Sequence, residues 1–103
     1  MIDPMQVIAK STLRKCWEQP GRRDAEQPLL TWYALAKRAK WKSPAEIKAQ
    51  FGSASIVSND RVVFNIAGNK YRLIMRVDYS VGVMFVRFVG THDEYDRVDA
   101  ATV

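Results

Sequence analysis

The amino-acid sequence predicts an α+β fold in which N-terminal helices pack on one face of a small, mostly antiparallel sheet and a short C-terminal helix follows. Three observations predict it. Apolar residues recur at helical spacing as far as Phe51. From Ser53 the period changes to short runs of β-branched and aromatic residues divided by turn residues. A capping-box pair, Thr91 and Glu94, follows the last of those runs. Helices that precede strands, each with one apolar side, bury those sides together when they stack on one face of the sheet.

Met5–Ala9 reads as a strand after a short tail. Ser11 is placed to cap a helix carrying Leu13, Cys16 and Trp17 on one side, and Pro20-Gly21 ends it. Arg22 and Arg23 fall in a turn, and Asp24 is the expected N-cap of a second helix with the buried stripe Leu29, Trp32, Tyr33 and Ala36. Pro28 fits only in the first turn of that helix, where amide hydrogens lack intrahelical partners. Lys37, Arg38, Lys40 and Lys42 gather at its C-terminal end, where positive charge suits the helix dipole. Ser43 and Glu46 have capping-box spacing with Pro44 at the first helical position, and Ile47 and Phe51 lead to Gly52 as a stop. The strands then expected are Ser55–Val57, Val62–Ile66, Lys70–Tyr79 and Val83–Val89, with connections short enough for an antiparallel meander. The last helix places His92 in its first turn and Tyr95 one turn on, facing the same side.

Composition limits what such a fold can do. A chain of 103 residues with 48% hydrophobic content suits one modest core, so residues 1–103 are expected to form one domain. No apolar run approaches the roughly 20 residues of a membrane span, and Met1-Ile2-Asp3-Pro4 lacks the features of a secretory signal, so a cytoplasmic protein without membrane contact is expected. Cys16 and His92 stand alone in their residue types, which excludes an intrachain disulfide, a cysteine zinc site and a His-rich metal centre. Cys16, at helical spacing from Leu13 and beside Trp17, reads as a small buried hydrophobe, and no cofactor is expected. The formal net charge is +5, with ten Lys/Arg against five Asp/Glu in residues 1–50 and six against six in residues 51–103. That basic excess favours a polyanion or an acidic protein as partner.

In the long strand Lys70, Arg72, Ile74, Arg76 and Asp78 alternate with Tyr71, Leu73, Met75, Val77 and Tyr79, so one side covers the core and the other is cationic. On pattern alone the cationic side is open between a solvated face and a ligand surface, and His92 between a surface residue and a catalyst. Trp32 and Tyr33 read as core, and Trp41 between Lys40 and Lys42 is open between local packing and stacking on a base. Cleaving RNA without a metal requires a proton taken from the 2′-hydroxyl, charge stabilisation at phosphorus and a proton for the 5′-oxygen. Imidazole, with an ordinary pKa of about 6.5, moves protons near neutrality. Guanidinium matches phosphate oxygens. Arg72, Lys70, His92 and Tyr95 would suffice if they meet.

The run Val63-Phe64-Asn65-Ile66-Ala67-Gly68-Asn69-Lys70-Tyr71-Arg72-Leu73-Ile74, followed by Val86-Arg87-Phe88-Val89-Gly90-Thr91-His92-Asp93-Glu94-Tyr95-Asp96, resembles the HigB-type toxins of the RelE-like group of messenger-RNA interferases. Ala67 stands where that family often has a second glycine. The resemblance implies a metal-independent endoribonuclease that cuts messages, commonly at the ribosome. It also implies a cognate helix-turn-helix antitoxin, through which alone the toxin reaches operator DNA. It carries over Arg72, His92 and Tyr95 as active-site residues, with Lys70 and Asn69 beside them. Arg76 and Arg87 are further expected phosphate contacts, and Lys37, Arg38, Lys40 and Lys42 would hold RNA electrostatically. Two other readings stay open: a non-catalytic RNA- or ribosome-binding module, and a gyrase-poisoning relative of the same fold.

Overall fold

The computed structural model describes residues 5–103, and the tail read at Met1–Pro4 lies outside them. Strand β1 (Gln6–Ile8) passes directly into helix α1 (Lys10–Trp17), a 3-10 turn spans Arg23–Ala25, and helices α2 (Glu26–Arg38) and α3 (Pro44–Gln50) follow. Strands β2 (Ser55–Ser58), β3 (Arg61–Ile66), β4 (Tyr71–Asp78) and β5 (Val83–Thr91) come next, then helix α4 (His92–Tyr95). The expected α+β class is what the chain adopts. The sheet order is β1-β5-β4-β3-β2, with the expected antiparallel meander from β2 to β5 and β1 running parallel to β5 at one edge.

Three helix starts differ from expectation. Ser11 lies inside α1, because the chain leaves β1 with Ala9 as N-cap and Thr12 N donates to Ala9 O at 3.0 Å. Asp24 belongs to the 3-10 turn and caps nothing; its carboxylate is drawn away by Lys70 and Tyr71, so α2 begins at Glu26 and Pro28 is accommodated as its third residue. Ser43 does precede α3, with Pro44 in the first turn, but its hydroxyl points to Glu46 Oε2 at 3.4 Å instead of capping the backbone. The box at Thr91 is complete: Thr91 Oγ1 accepts from Glu94 N at 3.2 Å and Thr91 N donates to Glu94 Oε1 at 2.9 Å.

The core lies between the helices and one face of the sheet. Phe64 takes the edge-on rings of Trp32 and Phe51, each 5.2 Å away between centroids, and Leu13, Leu29, Ile47, Leu73 and Met75 are fully buried around them. Each such side chain contributes about 1.5–3 kcal/mol by leaving water. Cys16 is buried as expected, and Tyr33 is only half-buried, with the ammonium groups of Lys10 and Lys37 5.1 and 5.6 Å from its ring. Trp41 is packing: it is 5% exposed, meets Phe51 edge-on and donates from Nε1 to Gln50 at 3.0 Å.

The opposite face of the sheet is not the uniformly solvated surface that alternation suggests. Ile74 and its neighbour Val63 are fully buried there. The segment after α4 crosses this side, since Arg61 Nε and Arg87 Nε both donate to the Val103 carbonyl at 3.2 Å. Arg87 is the extra residue of a bulge, because Ile74 pairs with Phe88 and Met75 with Val86.

Candidate functional site

The corner where β4 begins and β5 ends gathers the residues expected to do chemistry. Tyr71 pairs with Thr91 and Arg72 with Gly90, and His92 N donates to Lys70 O at 3.2 Å. Because the box closes immediately after the last strand pair, α4 rises at this point and presents His92 and Tyr95 beside Arg72. The guanidinium of Arg72 lies 5.2 Å from the centre of the Tyr95 ring, and the His92 ring is 6.4 Å from the same centre. Tyr95 is thus the neighbour that Arg72 and His92 share.

Arg72 is held without an ion pair. Its Nη2 donates to Asn69 Oδ1 at 2.5 Å, its Nε is buried with no partner, and no carboxylate neutralises it among the described residues. A cation stacked on an aromatic face and left without a counter-charge is placed to meet an anion. His92 Nδ1 faces Asp96 Oδ2 at 3.3 Å, a contact that orients the ring. Lys70 is committed differently: its ammonium contacts Asp24, whose other oxygen accepts from the Tyr71 hydroxyl at 2.6 Å. The Lys70 and Tyr71 hydrogen bonds hold the Asp24 carboxyl below the usual range, while burial, reinforced by Asp24, pushes Tyr71 up to about 12.

The remaining predicted contacts, Asn69 apart, lie elsewhere. Asn69 belongs to the corner. Arg76 is farther along β4, paired to Asp60 at 3.4 Å and 5.6 Å from the Phe85 ring, and Arg87 is engaged by Val103. Lys37 and Arg38 are exposed at the end of α2. Lys40 and Lys42 border a cavity of about 420 Å³ with Trp41 and Tyr79, beyond the other end of β4, where Tyr79 is roughly 26 Å along the chain from Tyr71 at about 3.3 Å per residue. His92, Asp93 and Asp96 bring one potential ligand atom each within 4.8 Å of one another, so this exposed turn is where a metal ion could be held among the described residues.

Three residues of the corner were not legible as such. Arg22, read as a turn residue, forms a two-pronged bridge to Glu94, Nη1–Oε1 2.8 Å and Nη2–Oε2 3.1 Å. Glu94, read only as a cap, is held by that fork and by Thr91 N, which together bring its carboxyl down to about 2. Gly90 leaves the room this carboxylate occupies, for a Cβ there would stand 2.6 Å from Glu94 Oε1. The third is Asp24. The capping-box spacing was the only signal, and it said nothing of partners 72 residues away.

Helices on one face of a five-stranded sheet, with a guanidinium, a phenol and an imidazole converging where the last strand meets a one-turn helix, define a small basic α+β protein of the RelE-like kind. Residues 25–98 match the HigB toxin family, described as the RelE-like toxic component of a toxin-antitoxin system, and the chain belongs to that family. It is therefore a toxin whose family implies an antitoxin as partner. No curated protein matches the chain. No helix among the described residues is long and apolar enough to cross a membrane.

Proposed function

We propose that this toxin is a metal-independent endoribonuclease that cleaves messenger RNA on translating ribosomes in the cytoplasm, and that a helix-turn-helix antitoxin silences it and carries it to operator DNA. The observation that supports this reading is the shared position of Arg72, Tyr95 and His92, with the Arg72 charge uncompensated by any carboxylate among the described residues. In the proposed reaction the 2′-oxygen attacks phosphorus as the bond to the 5′-oxygen breaks. His92 transfers a proton, as base or acid, and Arg72 stabilises the charge that accumulates on the phosphoryl oxygens. Tyr95 orients the phosphate or stacks a base. Lys70 assists after exchanging Asp24 for phosphate. The basic surface of α2 supplies non-specific attraction that weakens with salt.

The test is message cleavage by the purified protein in a translating extract, with analysis of the product ends. Attack by the 2′-oxygen leaves a 2′,3′-cyclic phosphate and a 5′-hydroxyl. Ends carrying a 3′-hydroxyl and a 5′-phosphate would instead identify a hydrolytic water and overturn the mechanism. Absence of any cleavage would favour a binding module or a gyrase poison.

A further inference from the structure

We propose that Arg22 is a positioning residue for this reaction: through Glu94 it fixes the His92–Tyr95 turn against Arg72. The inference rests on the endoribonuclease reading. The four residues of α4 are too few to persist as a helix on their own, yet they carry both His92 and Tyr95. Besides the Arg72 and Phe88 contacts of the Tyr95 ring and the His92–Asp96 pair, what holds them is the box inside the turn, the backbone bond from His92 N to Lys70 O, and the fork from Arg22.

That fork is the single side-chain ion pair from α4 to the N-terminal half among the described residues. It is sheltered, with the Arg22 side chain 20% exposed, and its two parallel bonds fix direction as well as distance. The Glu94 oxygen that receives Arg22 Nη1 also receives Thr91 N, so the guanidinium and the helix cap are set by one atom. The 3-10 turn that follows Arg22 contributes Asp24, which grips Lys70 and Tyr71 at the start of β4. One short segment therefore fastens both elements whose side chains must share a phosphodiester. Arg22 and Asp24 precede residue 25, where the family match begins, so the match assigns them no role. With both terminal nitrogens on Glu94, Arg22 acts through α4.

The test is steady-state message cleavage on purified ribosomes. Arg22→Ala is expected to lower kcat by about 10- to 100-fold, the cost of a misplaced catalytic group, with KM within about twofold of wild type. Arg22→Lys, which keeps the charge but not the fork, should recover part of the loss, and added methylguanidinium should raise the rate of Arg22→Ala. Arg23→Ala, at the exposed neighbour, should change neither constant. Glu94→Gln, which keeps the side-chain shape, should reproduce the kcat loss even if Arg22→Ala folds poorly. Hydrogen exchange supplies a readout independent of cleavage: the amides of Asp96 and Arg97, bonded to His92 O and Glu94 O, should exchange faster in both variants while those of β4 do not. A wild-type kcat in either variant, a loss confined to KM, or a loss that tracks global unfolding would overturn the proposal. If wild type cleaves no RNA, the enzymatic reading fails, and exchange still decides whether Arg22 holds the turn.

Discussion

The two ends of the sheet face opposite the helices carry the same residue type and use it differently. Near α4, Arg72 rests on Tyr95 and Asn69 with no carboxylate partner among the described residues. Toward the β4–β5 hairpin, Arg61 and Arg76 share Asp60, and Arg61 and Arg87 share the Val103 carbonyl. Charge at one end meets no carboxylate among the described residues, and at the other it joins parts of the protein to one another. A cationic strand is thus divided by its partners, not by its own pattern.

Substitutions should expose that division. The largest effect expected is on activity at the α4 end: Arg72→Ala should slow message cleavage by about 10²–10³-fold, and His92→Ala by about 10²–10⁴-fold. Arg76→Ala should stay within a few-fold of wild type, and equal losses from Arg72→Ala and Arg76→Ala in the same assay would erase the comparison. Stability should show the reverse order. Arg61→Ala removes a side chain only 11% exposed together with its bonds to Asp60 and the Val103 carbonyl, so thermal or denaturant unfolding should show about 1–3 kcal/mol of destabilisation, against under about 1 kcal/mol for Arg72→Ala.

Acid should loosen the α4 end specifically. The Glu94 carboxyl sits at about 2 in the folded protein, below its ordinary 4.5, so its stabilising effect is present above that ordinary value and disappears as pH falls toward 2. The gap in melting temperature between wild type and Glu94→Gln should accordingly be full at neutral pH and close over this acidic range. A gap that stayed constant would show that ionisation of Glu94 is not what matters. The smallest effect concerns the β3–β4 connection, where Ala67 adopts a φ of +54° that glycine reaches without strain. Ala67→Gly should stabilise the protein by about 0.5–1 kcal/mol in the same measurement, with no change in cleavage.

Strands and the last helix were legible in the sequence to within two residues, because alternation and a capping box are local signals. The gathering of Arg72, His92 and Tyr95 was legible through resemblance, and their proximity has a local cause: the box begins one residue after the strand pair Arg72–Gly90. What stayed hidden was non-local. Asp24 satisfied the statistics of an N-cap while its carboxylate served residues 46 and 47 positions away. Ile74 broke no alternation rule that could announce its burial, since what lies across its side of the sheet comes from beyond α4. Lys40 and Lys42 are expected from charge alone to hold the same RNA, and the length of β4 separates them from the corner at Arg72.

The parallel pairing of β1 with β5 has a consequence for biosynthesis. Among the described strands Gln6–Ile8 is translated before the others, and its neighbour Val83–Phe85 belongs to the last of them. The nascent polypeptide must therefore carry β1 without this partner until β5 has been made, and the loop to be closed is long. The strands β2, β3 and β4 can pair as they are made, whereas this edge of the sheet waits for β5.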